Sequence, residues 1–548
     1  MIGSIDFVSD VVRRSAVTWP DRIAVQNGDG SVRLTYAELW EQAERAASVL
    51  QSMGLRGGDR VLLAVDPSPS WMVAFLAIVQ AGYVVVPIPS TTPATLVRVV
   101  TLHAGIRVGV ANRANGWIES AVTGLRIVTP AHLAGTNRVA CHPASGCGLN
   151  SDATARRDAG SIAVLVFTSG STSRPRAVAL SHAALCANLR SLQAARRAEP
   201  DESVLSTLPP SHAYELVAGQ LAPLAAGARI IYAGSLLPNR LVDTIRTQAV
   251  TRMMLVPAML DALVHEVIDR LARLEVIGPE CRALTAQGLA DRVSAMSAAS
   301  RGLLHDAVRA EIGRSFAVAT IGGAASDRAW TGVLAAAGVA ADVGYGLTEA
   351  GPVVTLGRAG ECPPGSVGRA LPGVEIRIGE DSEILVRSDS IMRGYAGDEA
   401  ATAAALTNGW LHTGDRGWLD DAGFLFIRGR IKEAMVTSAG ETIYPDEIEQ
   451  AYCSPLFAEI AVVPLPDERG NDVPTLVVVP APASTSSTHL APIAAGAIRA
   501  EVGRLRAAAP TRLHVHGFVV KSALPRSAAG KIRRRALADE LRAEEVRT

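Results

Sequence analysis

Apolar and polar positions alternate through the first part of the chain with two different periods. Residues 34–50 repeat apolar positions at helical spacing, 60–65 form a short apolar run, 71–80 read as a helix, and 83–88 and 162–167 read as β-branched strands. Helical patterns alternating with short apolar runs predict α/β layers around a largely parallel sheet, because parallel strands need crossovers and are buried on both faces. From about Gly365 the texture changes to short strands, at 374–378, 383–386, 410–413 and 424–427, separated by turns such as Asp421-Ala422-Gly423. After Gly429 a helix at 445–453, strands at 460–464 and 475–479 and a helix through 499–508 predict an α+β module. Its Ala/Ser/Pro-rich stretch at 481–492 reads as a surface loop. No internal repeat is present.

Composition narrows the function classes. A chain of 548 residues holds several cores at about 150 residues per domain. Lys plus Arg equals Asp plus Glu at 53 each, so no basic field exists to hold a nucleic acid. With 48% hydrophobic and 19% charged residues the chain is globular and not disordered. The six cysteines, Cys141, Cys147, Cys186, Cys281, Cys362 and Cys453, are too few and too scattered for a disulfide scaffold, which fits a reducing, cytoplasmic compartment. Cys141-His142 with Cys147 lacks a second ligand pair and reads as a loop. Residues 1–20 carry acidic side chains and no unbroken apolar core, unlike a signal peptide. Residues 71–89 are interrupted by Gln80 and Gly82, so they read as a buried helix entering a strand and not as a transmembrane segment.

Four segments carry candidate chemistry. An apolar strand ends in Thr168-Ser169-Gly170-Ser171-Thr172-Ser173-Arg174-Pro175-Arg176, where small residues free backbone N–H groups, hydroxyls add donors and arginines add charge: the makings of a phosphate cradle without the Walker pattern. Gly344-Tyr345-Gly346-Leu347-Thr348-Glu349 follows a small strand-like run and sets a ring, a hydroxyl and a carboxylate on one loop, suited to a base, a phosphate and Mg²⁺. Trp410-Leu411-His412-Thr413-Gly414-Asp415 places a carboxylate at an expected tight turn, able to accept from the two hydroxyls of a ribose. Finally, Lys432, Lys521 and Lys531 are the only lysines; Lys531 follows Gly530 in a loop, where a compact ammonium differs from a guanidinium. Taken singly, these segments read as an ordinary strand-to-helix connection, a turn with a surface Glu, an Asx turn and a solvated cation.

In this order the segments resemble the acyl-adenylate-forming superfamily, and the resemblance extends over nearly the whole chain. It includes Leu34-Thr35-Tyr36-Ala37-Glu38-Leu39, Gly322-Gly323-Ala324-Ala325, Gly365-Ser366-Val367-Gly368-Arg369, Ile391-Met392-Arg393-Gly394-Tyr395, Gly429-Arg430-Ile431-Lys432-Glu433 and Gly440-Glu441-Thr442-Ile443-Tyr444-Pro445. Leu208-Pro209-Pro210-Ser211-His212-Ala213-Tyr214-Glu215 and the run from Tyr345 to Val353 are most similar to medium- and long-chain fatty acyl-CoA synthetases. The resemblance implies an α/β fold: a large N-terminal domain of several subdomains, one β-barrel-like, over 1–429, a hinge at 430–432, and a small mobile α+β domain over 433–548.

The same resemblance implies an ATP-dependent ligase using Mg²⁺ and coenzyme A, with a small-molecule carboxylic acid as substrate and an acyl carrier protein as the alternative thiol acceptor. Thr168, Ser169, Gly170, Ser171, Thr172 and Arg176 would hold the β- and γ-phosphates. Thr348 would contact the α-phosphate and Glu349 the metal. Tyr345 would stack on adenine opposite Gly323 and Ala324, and Asp415 and Arg430 would bind the ribose. Lys531 would bridge carboxylate and α-phosphate, Lys432 would act as the hinge, and His212 would gate an acyl pocket lined by 212–221. Ser173, Arg176 and Ala177 depart from the Gly, Lys and Gly usual in relatives, and Ala528 replaces a residue that is often polar. An aryl- or amino-acid-activating enzyme, and a degenerate nucleotide-binding homologue, remain open alternatives.

Overall fold

The computed structural model describes residues 6–112, 118, 122–134, 158–168, 175–278, 280–281, 284, 286–322, 329–436, 442–454, 456–466, 472–481, 495–526 and 532–545. Cys141, His142 and Cys147 lie outside them, as does 481–492 except Ala481.

Two large sheets organise the first part of the chain. One runs Gly394–Tyr395, Arg176–Ser181, Ile162–Thr168, Val84–Pro87, Arg60–Ala64, Val108–Ala111, Arg126–Val128, and from Ile162–Thr168 to the last strand every neighbour is parallel. The other runs Arg369–Ala370, Val353–Gly357, Ala340–Gly346, Val318–Ile321, Arg252–Leu255, Ser203–Ser206, Arg229–Tyr232, Ile23–Asn27, Arg33–Thr35. It is parallel from Ala340–Gly346 to Ile23–Asn27 and antiparallel at both edges. The expected parallel α/β layers are therefore present. Helix Pro69–Gln80 touches strands of both sheets and is buried from Trp71 to Val79, which explains why its sequence is apolar all round and lacks a polar face.

The helix expected over 34–50 starts later. Leu34 belongs to strand Arg33–Thr35, and the helix runs Tyr36–Gln51. Thr35 fixes this boundary: its hydroxyl accepts the Glu38 N–H at 3.1 Å and the Glu38 carboxylate accepts the Thr35 N–H at 2.8 Å, satisfying two free donors of the first turn.

The β-rich part is an antiparallel sheet of Val374–Ile378, Glu383–Ser388, Trp410–Leu419 and Leu406–Thr407, with Leu425–Arg430 also paired to Trp410–Leu419. The strand expected to end at Thr413 continues to Leu419, so Asp415 lies inside it and not at a turn. A register shift at Arg416 and Gly417 accommodates the polar interruption, and Trp418 stacks on Phe426 at 4.7 Å beyond it.

The C-terminal α+β module pairs Phe457–Pro466, Asp472–Pro480 and Gly517–Val520. Alternate residues face two cores. Val462, Leu476 and Val478 meet Ile448, Ile498 and Val502, while Ala461, Val463 and Val477 meet Leu537 and Leu541 of helix Arg534–Glu545. Among the described residues no helix is long and apolar enough to cross a membrane.

Candidate active site

Strand Ala340–Gly346 ends at the C-terminal edge of the parallel part of its sheet, where α/β folds place ligands. Tyr345 is its penultimate residue, and the chain then enters the single turn Thr348–Ala350, which carries Glu349. Ring, hydroxyl and carboxylate therefore leave one strand end along a single short segment.

The Tyr345 hydroxyl donates to Asp415 Oδ2 at 2.7 Å, and the Arg430 Nε lies 3.0 Å from Asp415 Oδ1. Asp415 and Arg430 face each other directly across the antiparallel pair Trp410–Leu419 and Leu425–Arg430, so register sets their meeting. Asp415 is buried, at 6% exposure, and both its carboxylate oxygens are engaged. Burial, and then the Asp415 charge, push the Tyr345 phenol well above its ordinary range and keep it a donor. For Arg430, desolvation disfavours the charged form, but the Asp415 and Glu433 carboxylates outweigh it and raise its pKa further.

Glu349 is held from another direction. Its Oε1 accepts the Tyr395 hydroxyl at 3.0 Å, and its carbonyl accepts the Met392 N–H at 2.9 Å. Tyr395 sits on the edge strand Gly394–Tyr395 and pairs with Val178, and the Arg176 guanidinium lies 5.1 Å from its ring centroid. Burial and the neighbouring Glu349 raise the Tyr395 phenol. Arg176 is the first residue of strand Arg176–Ser181 and stands opposite Thr168, so these two close the base of the expected phosphate loop. Ser169, Gly170, Ser171 and Thr172 lie outside the described residues, as do Ser173, Gly323, Ala324, Ala528 and Lys531. Ala177 is buried in the strand opposite Phe167, so its Cβ packs within the sheet.

A carboxylate oriented by a phenol suits Mg²⁺, which commonly takes one or two protein carboxylates. Among the described residues no group of three or more His, Cys, Asp or Glu could hold a metal by itself.

Elsewhere, His212 is half-buried on the turn before the irregular helix Glu215–Leu221; its carbonyl accepts the Leu216 N–H at 2.9 Å. Two residues on, Tyr214 reaches the Thr320 carbonyl at 3.4 Å, and a methyl at Gly322 would lie 3.1 Å from the Tyr214 ring. The His212 segment therefore meets the start of the Gly322 motif. Lys432 is exposed in the turn Ile431–Glu433 directly after Arg430. Tyr395 and Glu215 end the motifs Ile391–Tyr395 and Leu208–Glu215, and sequence alone assigns them no role; the signal for Tyr395 is its place next to Gly394.

The sequence signature of AMP-binding enzymes matches residues 12–396, more than half of the chain, and spans Tyr345, Glu349 and Tyr395. The chain belongs to the AMP-binding enzyme family. It is an acid–thiol ligase of the AMP-forming type. It is 30% identical over 493 residues to a feruloyl-CoA synthase of Amycolatopsis sp, covering 86% of this chain and 88% of that protein. It is 29% identical over 491 residues to the long-chain-fatty-acid–CoA ligase FadD15 of Mycobacterium bovis, covering 84% and 80%. Its fold matches a Mycobacterium tuberculosis fatty acyl CoA synthetase with a TM-score of 0.68 at 23% identity, over 98% of this chain and 99% of that one. The large N-terminal part and small C-terminal module are those of this AMP-binding fold.

Proposed function

We propose that this ligase activates a medium- or long-chain fatty acid with ATP, releasing pyrophosphate, and passes the acyl group from acyl-AMP to the thiol of coenzyme A. The observation that carries this reading is the stretch from Tyr345 to Glu349, which joins the Tyr345–Asp415–Arg430 group to the Glu349–Tyr395–Arg176 group. The first suits a nucleoside: an aromatic face beside a buried carboxylate that can accept from ribose hydroxyls. The second suits a polyphosphate, with the hydroxyl-rich loop rooted between Thr168 and Arg176.

In this reading Thr348 contacts the α-phosphate, and Lys531 approaches from the C-terminal module to neutralise the meeting of carboxylate and α-phosphate. The acid's carboxylate oxygen attacks the α-phosphorus and the phosphorus–oxygen bond to pyrophosphate breaks. Mg²⁺ bound at Glu349 would supply charge neutralisation on the phosphates. Two anions must approach, so preorganised donors and cations carry most of the rate. The division into 1–429, a hinge at 430–432 with Lys432 as pivot, and 433–548 belongs to the same reading: the small domain turns after adenylation so that the thiol reaches the adenylate.

A fatty acid is favoured because the segment 212–221 is rich in small and apolar residues and carries no Lys or Arg to pair a second carboxylate, although Leu216, Val217 and Leu221 themselves pack into the core. The likeness to FadD15 supports it. The feruloyl-CoA synthase relative supports a second reading, an aryl acid. Pyrophosphate release is the test, measured across fatty acids of graded length and aryl acids, with coenzyme A or a phosphopantetheinylated carrier protein as acceptor. Turnover rising with chain length and thioester formed on coenzyme A supports the proposal; preference for aryl acids, or acyl transfer to the carrier alone, contradicts it.

A further inference from the structure

Glu215 has no exposed surface, and no part of the proposed chemistry uses it. Its Oε1 accepts the Ser206 hydroxyl at 2.6 Å and the Gln220 amide at 3.2 Å. The Gln220 amide also donates to Ser206 Oγ at 2.9 Å, and its carbonyl accepts the Tyr232 hydroxyl at 2.8 Å. Ser206 and Tyr232 face each other across the parallel strands Ser203–Ser206 and Arg229–Tyr232, so this buried network fastens one helical segment to two strand ends. Oε2 has no partner among the described residues.

That segment, Glu215–Leu221, is wound as a π-helix. In an α-helix residues five apart point about 140° away from each other, whereas i→i+5 winding brings them to one side. Glu215 and Gln220 are five apart and touch, so their contact selects the π winding. Gly219 makes room for it: a methyl there would lie 2.6 Å from both the carboxyl carbon and Oε2 of Glu215. Short π segments need such outside support and recur at functional sites. Burial, only partly offset by Ser206 and Gln220, pushes the Glu215 carboxyl up to about 7. The titratable groups nearest it, Tyr214 and Tyr232, are also raised by burial and stay neutral.

At the N-terminal end of this winding stand His212, whose carbonyl takes the Leu216 N–H, and Tyr214, whose ring abuts Gly322. We propose that Glu215 is a positioning residue for the acid substrate: by holding the π turn it sets where His212 and Tyr214 stand against the Gly322 strand end, and so sets the shape of the acyl pocket without touching the acid. The inference rests on reading 212–221 as a wall of that pocket.

The test compares Glu215→Gln, Glu215→Ala and Gly219→Ala in the full chain by acid-dependent pyrophosphate release, with KM for acid and for ATP measured separately across chain lengths. Gln keeps an Oε1 for Ser206 and Gln220 and should stay within about threefold of wild type in acid KM; the other two should raise it about tenfold or more, as losing a buried hydrogen bond does, and alter the chain-length preference. ATP KM should change less than about twofold, which a merely structural lesion would not spare. Equal changes in both KM values, or an unchanged chain-length profile in Glu215→Ala and Gly219→Ala, overturn the proposal. Should those variants fail to fold, Ser206→Ala removes one donor, keeps the carboxyl and carries the same comparison. Absence of acid-dependent turnover in the wild type refutes the substrate reading instead, so the two failures are distinguishable.

Discussion

Replacing Glu215 by Gln should change how stability depends on pH. The substitution keeps the shape and the Oε1 acceptor and removes the titration; the amide NH2 it places where Oε2 has no partner carries a cost that does not vary with pH. The carboxyl moves from an ordinary 4.5 to about 7 on folding, because burial outweighs the Ser206 and Gln220 hydrogen bonds. Its folded pKa is raised, so the folded state binds the extra proton. The group's contribution is therefore fully favourable below about pH 4.5 and is lost as pH climbs through about 7. A shift of about 2.5 units at 1.36 kcal/mol each is roughly 3 kcal/mol. With about 2.1 cal/mol/K of unfolding entropy per residue over 548 residues, that is about 3 °C if the whole chain melts at once, and more for a smaller cooperative unit. Calorimetry of wild type and Glu215→Gln at intervals from pH 5 to pH 8.5 reads it directly. The Tm of the wild type should fall relative to the variant as pH rises between about 5 and 7 and level off above that, once the carboxyl is ionised in both states. A difference that stays flat, or that opens in the opposite direction, refutes the argument that this carboxyl is buried with only one oxygen satisfied.

Two further outcomes follow from the site, and a third from the proposed role of Lys531. Tyr395→Phe removes the donor to Glu349 Oε1 and should raise the Mg²⁺ concentration for half-maximal pyrophosphate release about three- to tenfold with acid KM unchanged, seen by metal titration at saturating ATP. Asp415→Asn cannot accept from both Tyr345 and Arg430; losing a charge-assisted bond half open to solvent should raise ATP KM about tenfold, read by steady-state kinetics. Lys531→Ala should lower adenylate formation about 10²–10³-fold while the Tm stays within a degree or two of wild type, checked by ATP–pyrophosphate exchange beside calorimetry.

Much of this architecture was legible because the core elements are uniform. Arg60–Ala64 and Val84–Pro87 are unbroken apolar runs in the middle of a parallel sheet, and Pro69–Gln80 is apolar all round because layers cover every face. Boundaries failed where local chemistry overrode pattern: the Thr35 and Glu38 cap pulled the helix start past Leu34, and a register shift carried Trp410–Leu419 through Gly414 and Asp415.

In the site, sequence could set Tyr345, Thr348 and Glu349 together because five consecutive residues span them. It could not show that Asp415 faces Arg430, which depends on cross-strand register, or that Tyr395 reaches Glu349 from 46 positions away. Glu215 was hidden for a related reason. Nothing in the Leu208–Glu215 motif shows that Ser206, Gln220 and Tyr232 enclose this glutamate, because the strands that bring them together are set by the sheet and not by the local sequence.

The account stands on adenylate formation. Purified protein should be given radiolabelled pyrophosphate, ATP, Mg²⁺ and a graded set of carboxylic acids, and the return of label into ATP followed before any thiol is added. The account predicts acid-dependent exchange, with AMP and thioester appearing once coenzyme A is supplied. Nucleotide binding without exchange for any acid, or ADP in place of AMP, would contradict it.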